Sequence, residues 1–153
     1  MALYLVQHGK SFSKEEDPEQ GISPEGIADV NRIAEVAKGY SVSPAAIRHS
    51  GKKRARQTAE IFAGALLREG RAEEAPGLNP LDDVTAIAGK LRNEDNLMLV
   101  GHLPFMERLT NYLVAGSVET LVFKFQNGGI VCLDKGSEST KWFIKWTLMP
   151  RIG

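Results

Sequence analysis

No disulfide can form within this chain, because Cys132 is its only cysteine. The same scarcity excludes a zinc site built on cysteine pairs. An excess of one charge is lacking too: Lys+Arg and Asp+Glu both number 19, so the net charge is zero. That removes any bulk-charge argument for nucleic acid or membrane binding and leaves only a local patch open. No apolar run approaches the ~18 residues of a membrane span. The opening Met1–Val6 meets the polar Gln7-His8-Gly9-Lys10 too soon for a signal peptide. The expectation is a cytoplasmic protein. Repeats, low-complexity tracts and linkers are missing as well. What is present is a balanced composition, 42% hydrophobic and 25% charged over 153 residues. It reads as one globular domain over 1–153, large enough to stay folded without disulfide or metal.

Leu3–Val6 and Leu97–Val100 are short continuous apolar runs, the pattern of strands buried on both faces. Residues 10–21 are polar and mixed in charge and read as a solvated loop. Ser23-Pro24-Glu25 opens a helix with a capping hydroxyl, a proline at the first helical position and an acid in the first turn. Ala45-Ala46-Ile47 is a weaker strand candidate running into Arg48-His49-Ser50. A second helix after Gly51 carries Ala55, Ala59, Phe62 and Leu66 on one face. The spacing of Val84, Ile87, Ala88 and Leu91 predicts a third helix from Asn79-Pro80, and Pro104 begins a fourth. From Thr120 the character turns strand-like, over Leu121–Phe125, Ile130–Leu133 and Trp142–Met149. Asn127-Gly128-Gly129 and Lys135-Gly136-Ser137 supply turns. Strands alternating with helices, then a hairpin-like tail, imply an α/β fold. The expected architecture is a three-layer α/β/α sandwich on a mostly parallel sheet with an antiparallel portion near the C-terminus.

His8 and His102 each follow one of the two buried runs, just past the strand's carboxyl end, where open α/β sheets bind ligands. Ser50 lies at another strand-to-helix crossing, so His8, Ser50 and His102 are expected to meet on one rim. His49 lacks such support and reads as structural. The segment 48–56 carries Arg48, Lys52, Lys53, Arg54 and Arg56 and no acid. Cations at a helix amino end oppose its dipole, and a bound phosphate would relieve that conflict. An arginine fork there matches two phosphate oxygens. A nucleic-acid role for the segment is disfavoured by the zero net charge and the absence of an aromatic residue within it. Trp142 and Trp146, at i and i+4 of a predicted strand, should share one face and pack there, and Cys132 reads as an inert buried thiol.

Gln7-His8-Gly9, Ile22-Ser23-Pro24-Glu25-Gly26, Ser50-Gly51-Lys52-Lys53-Arg54-Ala55-Arg56-Gln57-Thr58-Ala59 and Val100-Gly101-His102-Leu103-Pro104 follow one another along the chain. In that order they resemble the motifs of the histidine phosphatase superfamily, whose fold is phosphoglycerate-mutase-like. The short length, the His-Leu-Pro triplet and the absence of a large inserted cap are most similar to its small SixA-type phosphohistidine phosphatases. The resemblance implies a hydrolase in which His8 takes the phosphoryl group, Arg54 binds its oxygens and His102 hydrogen-bonds them. Gln7, Gly9 and Ser50 would line the phosphate pocket. Such chemistry needs no metal and no cofactor, because Arg and His donors carry the charge stabilisation.

Two positions depart from the family pattern. Gln7 stands where an arginine is usual, and Gly51 replaces the proline after Ser50. Glutamine keeps donors but loses charge and fork, a loss of about 1.5–3 kcal/mol if that bond is catalytic. Lys10, Arg48, Lys52 and Lys53 are the candidate compensating cations. Asp82 or Asp83 is the candidate general acid, set against the plain alternative that acids in a first helical turn favour its dipole. The reading is a phosphohistidine phosphatase acting on a phosphoprotein and releasing inorganic phosphate. The alternatives are a phosphomonoesterase of small molecules and, because of Gln7, a phosphate- or phosphoprotein-binding module without turnover.

Overall fold

All five residues of β1 (Leu3–Gln7) are buried, as are four of the five in β4 (Leu97–Gly101). That continuous burial puts the two strands side by side at the centre of a sheet with cover on both faces. The computed structural model describes residues 1–137 and 141–152. Between and beyond the central strands come α1 (Pro24–Gly39), β2 (Ala46–His49), α2 (Lys53–Leu66), β3 (Glu73–Glu74), α3 (Val84–Ala88), α4 (Phe105–Ala115), β5 (Ile130–Lys135) and β6 (Trp142–Leu148). The strand order is β3-β2-β4-β1-β5-β6. The first four run parallel, while β5 pairs antiparallel with β1 and with β6. No helix of the described residues is long and apolar enough to cross a membrane.

Side chains alternate between two cores, as the period of a strand dictates. Tyr4, Val6, Met98 and Val100 face α1 and α2, packing on Val30, Ile33, Ala59 and Phe62. Leu3, Leu5 and Leu99 face α3 and α4, packing on Val84, Met106 and Leu109. The result is the expected three-layer α/β/α sandwich. Helix α1 starts where the sequence places it: Ser23 Oγ accepts from Gly26 N at 3.1 Å and Pro24 occupies the first turn.

Three expectations are corrected. The third helix does not begin at Asn79-Pro80. It spans only Val84–Ala88, because Asp82 and Asp83 spend their carboxylates on a turn and on the helix cap. Leu121–Phe125 is not a strand. Its Val122 and Phe125 N–H groups donate to Asn111 Oδ1 (3.0 Å) and Glu107 Oε2 (3.1 Å) on α4, so helix side chains replace a sheet neighbour. Trp142 and Trp146 occupy opposite faces. A register shift opposite Cys132 and Leu133 inserts an extra residue in β6, which turns Trp142 into the α3–α4 core and Trp146 onto Tyr4 on the other side. Strand β3, two exposed glutamates beside Arg48 and His49, has no hydrophobic alternation by which a sequence reading could find it.

Candidate active site

The carboxyl ends of β1, β2 and β4 form one rim, and the two strand-end histidines meet there. Their ring centroids are 5.1 Å apart. His8 continues the central ladder, its N–H bonded to Gly101 O at 2.9 Å, while its own carbonyl accepts from Asn127 Nδ2 (3.0 Å) and Gly128 N (3.2 Å). One residue on, Gly9 N donates to Thr58 Oγ1 at 2.8 Å, and Thr58 in turn donates to Arg54 O at 2.8 Å. Thr58 therefore ties the His8 loop to the first turn of α2, where Arg54 sits. Gln57 Oε1, accepting from Ile22 N at 2.7 Å, ties the loop before α1 to the same helix. Gly26 lets α1 approach the chain just after Gly9, since a Cβ there would run into the Lys10 backbone.

The His8 ring is oriented by its own chain. Nδ1 lies 2.7 Å from Gly9 O, a contact that places the proton on Nδ1 and the lone pair on Nε2. Nε2 has no hydrogen-bond partner among the described residues and is not sealed from solvent. Burial pushes the His8 pKa down to about 4. The Gly9 bond opposes that shift, and Arg54 adds to it. The ring is neutral near pH 7.

His102 is wholly enclosed. Its Nε2 and Ser50 Oγ are 2.6 Å apart, and its Nδ1 is buried without a partner among the described residues. Burial first, then the charges of His8, Arg54 and Lys52, lower its pKa to about 3. Its carbonyl accepts Met106 N at 2.8 Å and so starts α4.

Gly51 explains its own departure from the family pattern. Its φ is +92°, and the Glu74 carboxylate packs against its Cα. Proline, fixed near −65°, cannot adopt that conformation. His49 Nδ1 accepts Gly51 N at 3.0 Å, so this histidine braces the turn.

The α2 start has no acid in its first turn and no side-chain cap on Lys52. Arg54 is half-buried and makes no ion pair or side-chain hydrogen bond among the described residues. Burial lowers its pKa, as expected of a cation that has lost water without gaining a counter-ion. Of the candidate compensating cations, Lys10 pairs with Glu25 at 2.8 Å and Lys53 with Asp17 and Glu19, both at 3.4 Å. Arg48 lines a separate cavity with Ala75, Pro76 and Ile87. Of these candidates, Lys52 alone stays on the rim without an ion pair among the described residues. Gln7 is buried, and its Oε1 has no hydrogen-bond partner among the described residues.

Both candidate acids are engaged in local hydrogen bonds. Asp82 Oδ2 accepts Asn79 N at 2.9 Å, and Asp83 caps α3 through Thr85 N and Oγ1. Those Thr85 bonds hold Asp83 below the usual carboxylate range, opposite to what a general acid near neutrality requires. Sequence reasoning quoted Thr58 within a motif without giving it a role, and it passed over Asn127, whose Asn-Gly-Gly context signals only a turn.

A family model for the histidine phosphatase superfamily (branch 1) matches residues 3–82. Among solved structures, the chain is similar to the protein histidine phosphatase SixA complexed with tungstate. The two are 25% identical with a TM-score of 0.83, over 98% of this chain and 97% of that one. It is also similar to a SixA chain from Agrobacterium tumefaciens, at 24% identity and TM-score 0.78 over 97% of both chains. A phosphoserine phosphatase from Entamoeba histolytica, in complex with 3-phosphoglyceric acid, shares the fold at 15% identity and TM-score 0.72 over 96% of both chains. A comparison with curated protein sequences returns no match.

Proposed function

This chain belongs to the histidine phosphatase superfamily, branch 1, and on that footing we propose that it is a phosphohistidine phosphatase acting on a phosphoprotein. One observation carries the reading: the His8 ring has its Nδ1 held by Gly9 O and its Nε2 open, beside an Arg54 that lacks a counter-ion among the described residues.

In the proposed reaction His8 Nε2 attacks phosphorus in line. The bond from phosphorus to the substrate imidazole breaks as the bond to Nε2 forms, and the electron pair leaves with the substrate ring. Protonated by solvent on its other nitrogen, that ring leaves as neutral imidazole, whose conjugate acid has a pKa of roughly 6.5, so near neutrality it departs without a dedicated acid. Asp82 and Asp83 then have no step to perform. Arg54 donates to two phosphoryl oxygens, supplying the charge that a metal supplies elsewhere. His102 reaches a phosphoryl oxygen through Nε2 by displacing the Ser50 hydroxyl. Water then attacks the phosphohistidine on His8 and releases inorganic phosphate, which restores the neutral ring.

A second reading rests on Gln7. Its uncharged side chain suits a module that binds a phosphorylated partner and does not turn it over. Turnover measured on a phosphohistidine protein, a set of sugar phosphates and a chromogenic phosphoester separates the possibilities. The expected result is fastest turnover of the phosphohistidine protein. Preference for a sugar phosphate identifies a small-molecule phosphomonoesterase. Phosphate binding without any turnover identifies the binding module, and restoration of turnover by Gln7→Arg would then show that only the missing charge stood in the way.

A further inference from the structure

Beside the phosphoryl centre the rim opens into a polar cavity of about 460 Å³, bordered by Lys14, Lys52, Lys53, Arg54 and Arg56, with Glu19 the one acid among its described lining residues. In a chain of zero net charge this is a local concentration of cations. They are not equivalent. Lys53 is neutralised by Asp17 and Glu19, and Arg56 has a loose contact of 3.8 Å with Glu60. Lys14 and Lys52 have no ion pair among the described residues and are exposed. Arg54 joins this cavity to the catalytic centre, since its charge reaches both His8 and His102.

We propose that this cavity is a subsite for acidic side chains flanking the phosphohistidine of a protein substrate. The proposal rests on the phosphohistidine reading above and adds a sequence preference to it. Three arguments favour an acidic polypeptide over the second phosphate of a small molecule. The cations are spread around an open cavity of 460 Å³, far wider than one phosphate. Apart from Arg54, its members without an ion pair among the described residues are Lys14 and Lys52, point charges on flexible stems suited to carboxylates at variable positions. Arg54 borders the cavity and its charge reaches both rings, so a chain crossing the rim can engage His8 and the cavity together. Each exposed contact is weak and salt-sensitive. Several in concert give KM-level discrimination and faster encounter.

The test uses two synthetic peptides with a central phosphohistidine, one flanked by Asp and Glu and the other by Ser and Gly, together with a small bisphosphate. The variant is Lys14→Ser/Arg56→Ser, which leaves the phosphoryl-binding residues intact. For the wild type, kcat/KM at low salt is expected to be ~10-fold higher on the acidic peptide. The advantage should lie in KM, shrink at high salt and vanish in the variant, whose kcat/KM on the neutral peptide stays within about twofold of wild type. Equal turnover of both peptides would overturn the subsite and leave the phosphohistidine reading standing. So would a variant that keeps the acidic preference. Preference for the bisphosphate, lost in the same variant, would assign the cavity to small molecules and overturn the acidic-peptide subsite. No turnover of either peptide would overturn the phosphohistidine reading and the subsite with it.

Discussion

The loop after β1 and the loop after β4 hold the same residue type at the same place in the sheet, yet their surroundings make two different side chains of it. In the first, His8 is partly accessible, its Nδ1 fixed by Gly9 O and its Nε2 open. In the second, His102 is sealed, its Nε2 held by Ser50 and its Nδ1 enclosed without a partner among the described residues. Equivalent strand ends thus yield one imidazole with an open Nε2 and one whose Nε2 is engaged by Ser50. The difference comes from neighbours far away in sequence. Thr58, Asn127 and Gly128 anchor the His8 loop by its backbone and leave the ring free, whereas Ser50 takes hold of the His102 ring itself.

Removing each ring in turn exposes the contrast most strongly. His8→Ala should abolish turnover, with phosphate binding surviving in weakened form in calorimetry. His102→Ala should slow turnover while still allowing His8 to be phosphorylated slowly in single-turnover assays. Equal, total loss in both variants would erase the distinction. Arg54, which acts on both rings, comes next. Arg54→Ala should lower kcat/KM about 10–150-fold, the equivalent of roughly 1.5–3 kcal/mol for a charged hydrogen bond, with little change in melting temperature. Arg54→Lys should rescue only part of this, since a point charge lacks the fork.

A smaller effect separates the anchors. Thr58→Val leaves the buried Gly9 N–H without its acceptor, so stability in urea should fall by ~1–3 kcal/mol. Ser50→Ala should cost less stability but shift the His102 titration followed by NMR. Broadest is the pH response. Both rings titrate below the ordinary 6.5, His8 at about 4 and His102 at about 3. Between 6.5 and those values the unfolded chain binds protons that the folded chain does not. Their contribution to stability is therefore complete above pH 6.5 and lost as pH falls through that window. Urea unfolding without phosphate at pH 7.5 and 5 should show the drop, and His102→Asn should reduce it.

The parts of this molecule legible in the sequence are those whose signal is local. The apolar runs of β1 and β4 and the Ser23-Pro24 start of α1 announce themselves, and so does the cationic start of α2. The ordered motifs around His8, Arg54 and His102 led to the fold and the family. What escaped depends on long-range pairing. β3 exists because two glutamates lie beside Arg48 and His49, and Leu121–Phe125 loses strand pairing to Asn111 and Glu107 on α4. One extra residue in β6 sends Trp142 and Trp146 to opposite faces. At the site, sequence alone brought the two histidines to one rim but left Asp82 and Asp83 as candidate acids, because their engagement with Asn79 and Thr85 is a matter of local three-dimensional geometry. Gly51 looked like a defect in the motif until its positive φ made glycine the suitable residue.

The central claim is that His8 carries the phosphoryl group during turnover. Rapid quenching with ³²P-labelled phosphohistidine protein, followed by mapping of the labelled peptide, tests it directly. The account predicts an acid-labile, alkali-stable label on His8, absent from His8→Ala and present in His102→Ala. Label on His102, or hydrolysis by the wild type with no labelled intermediate on either histidine, would contradict it.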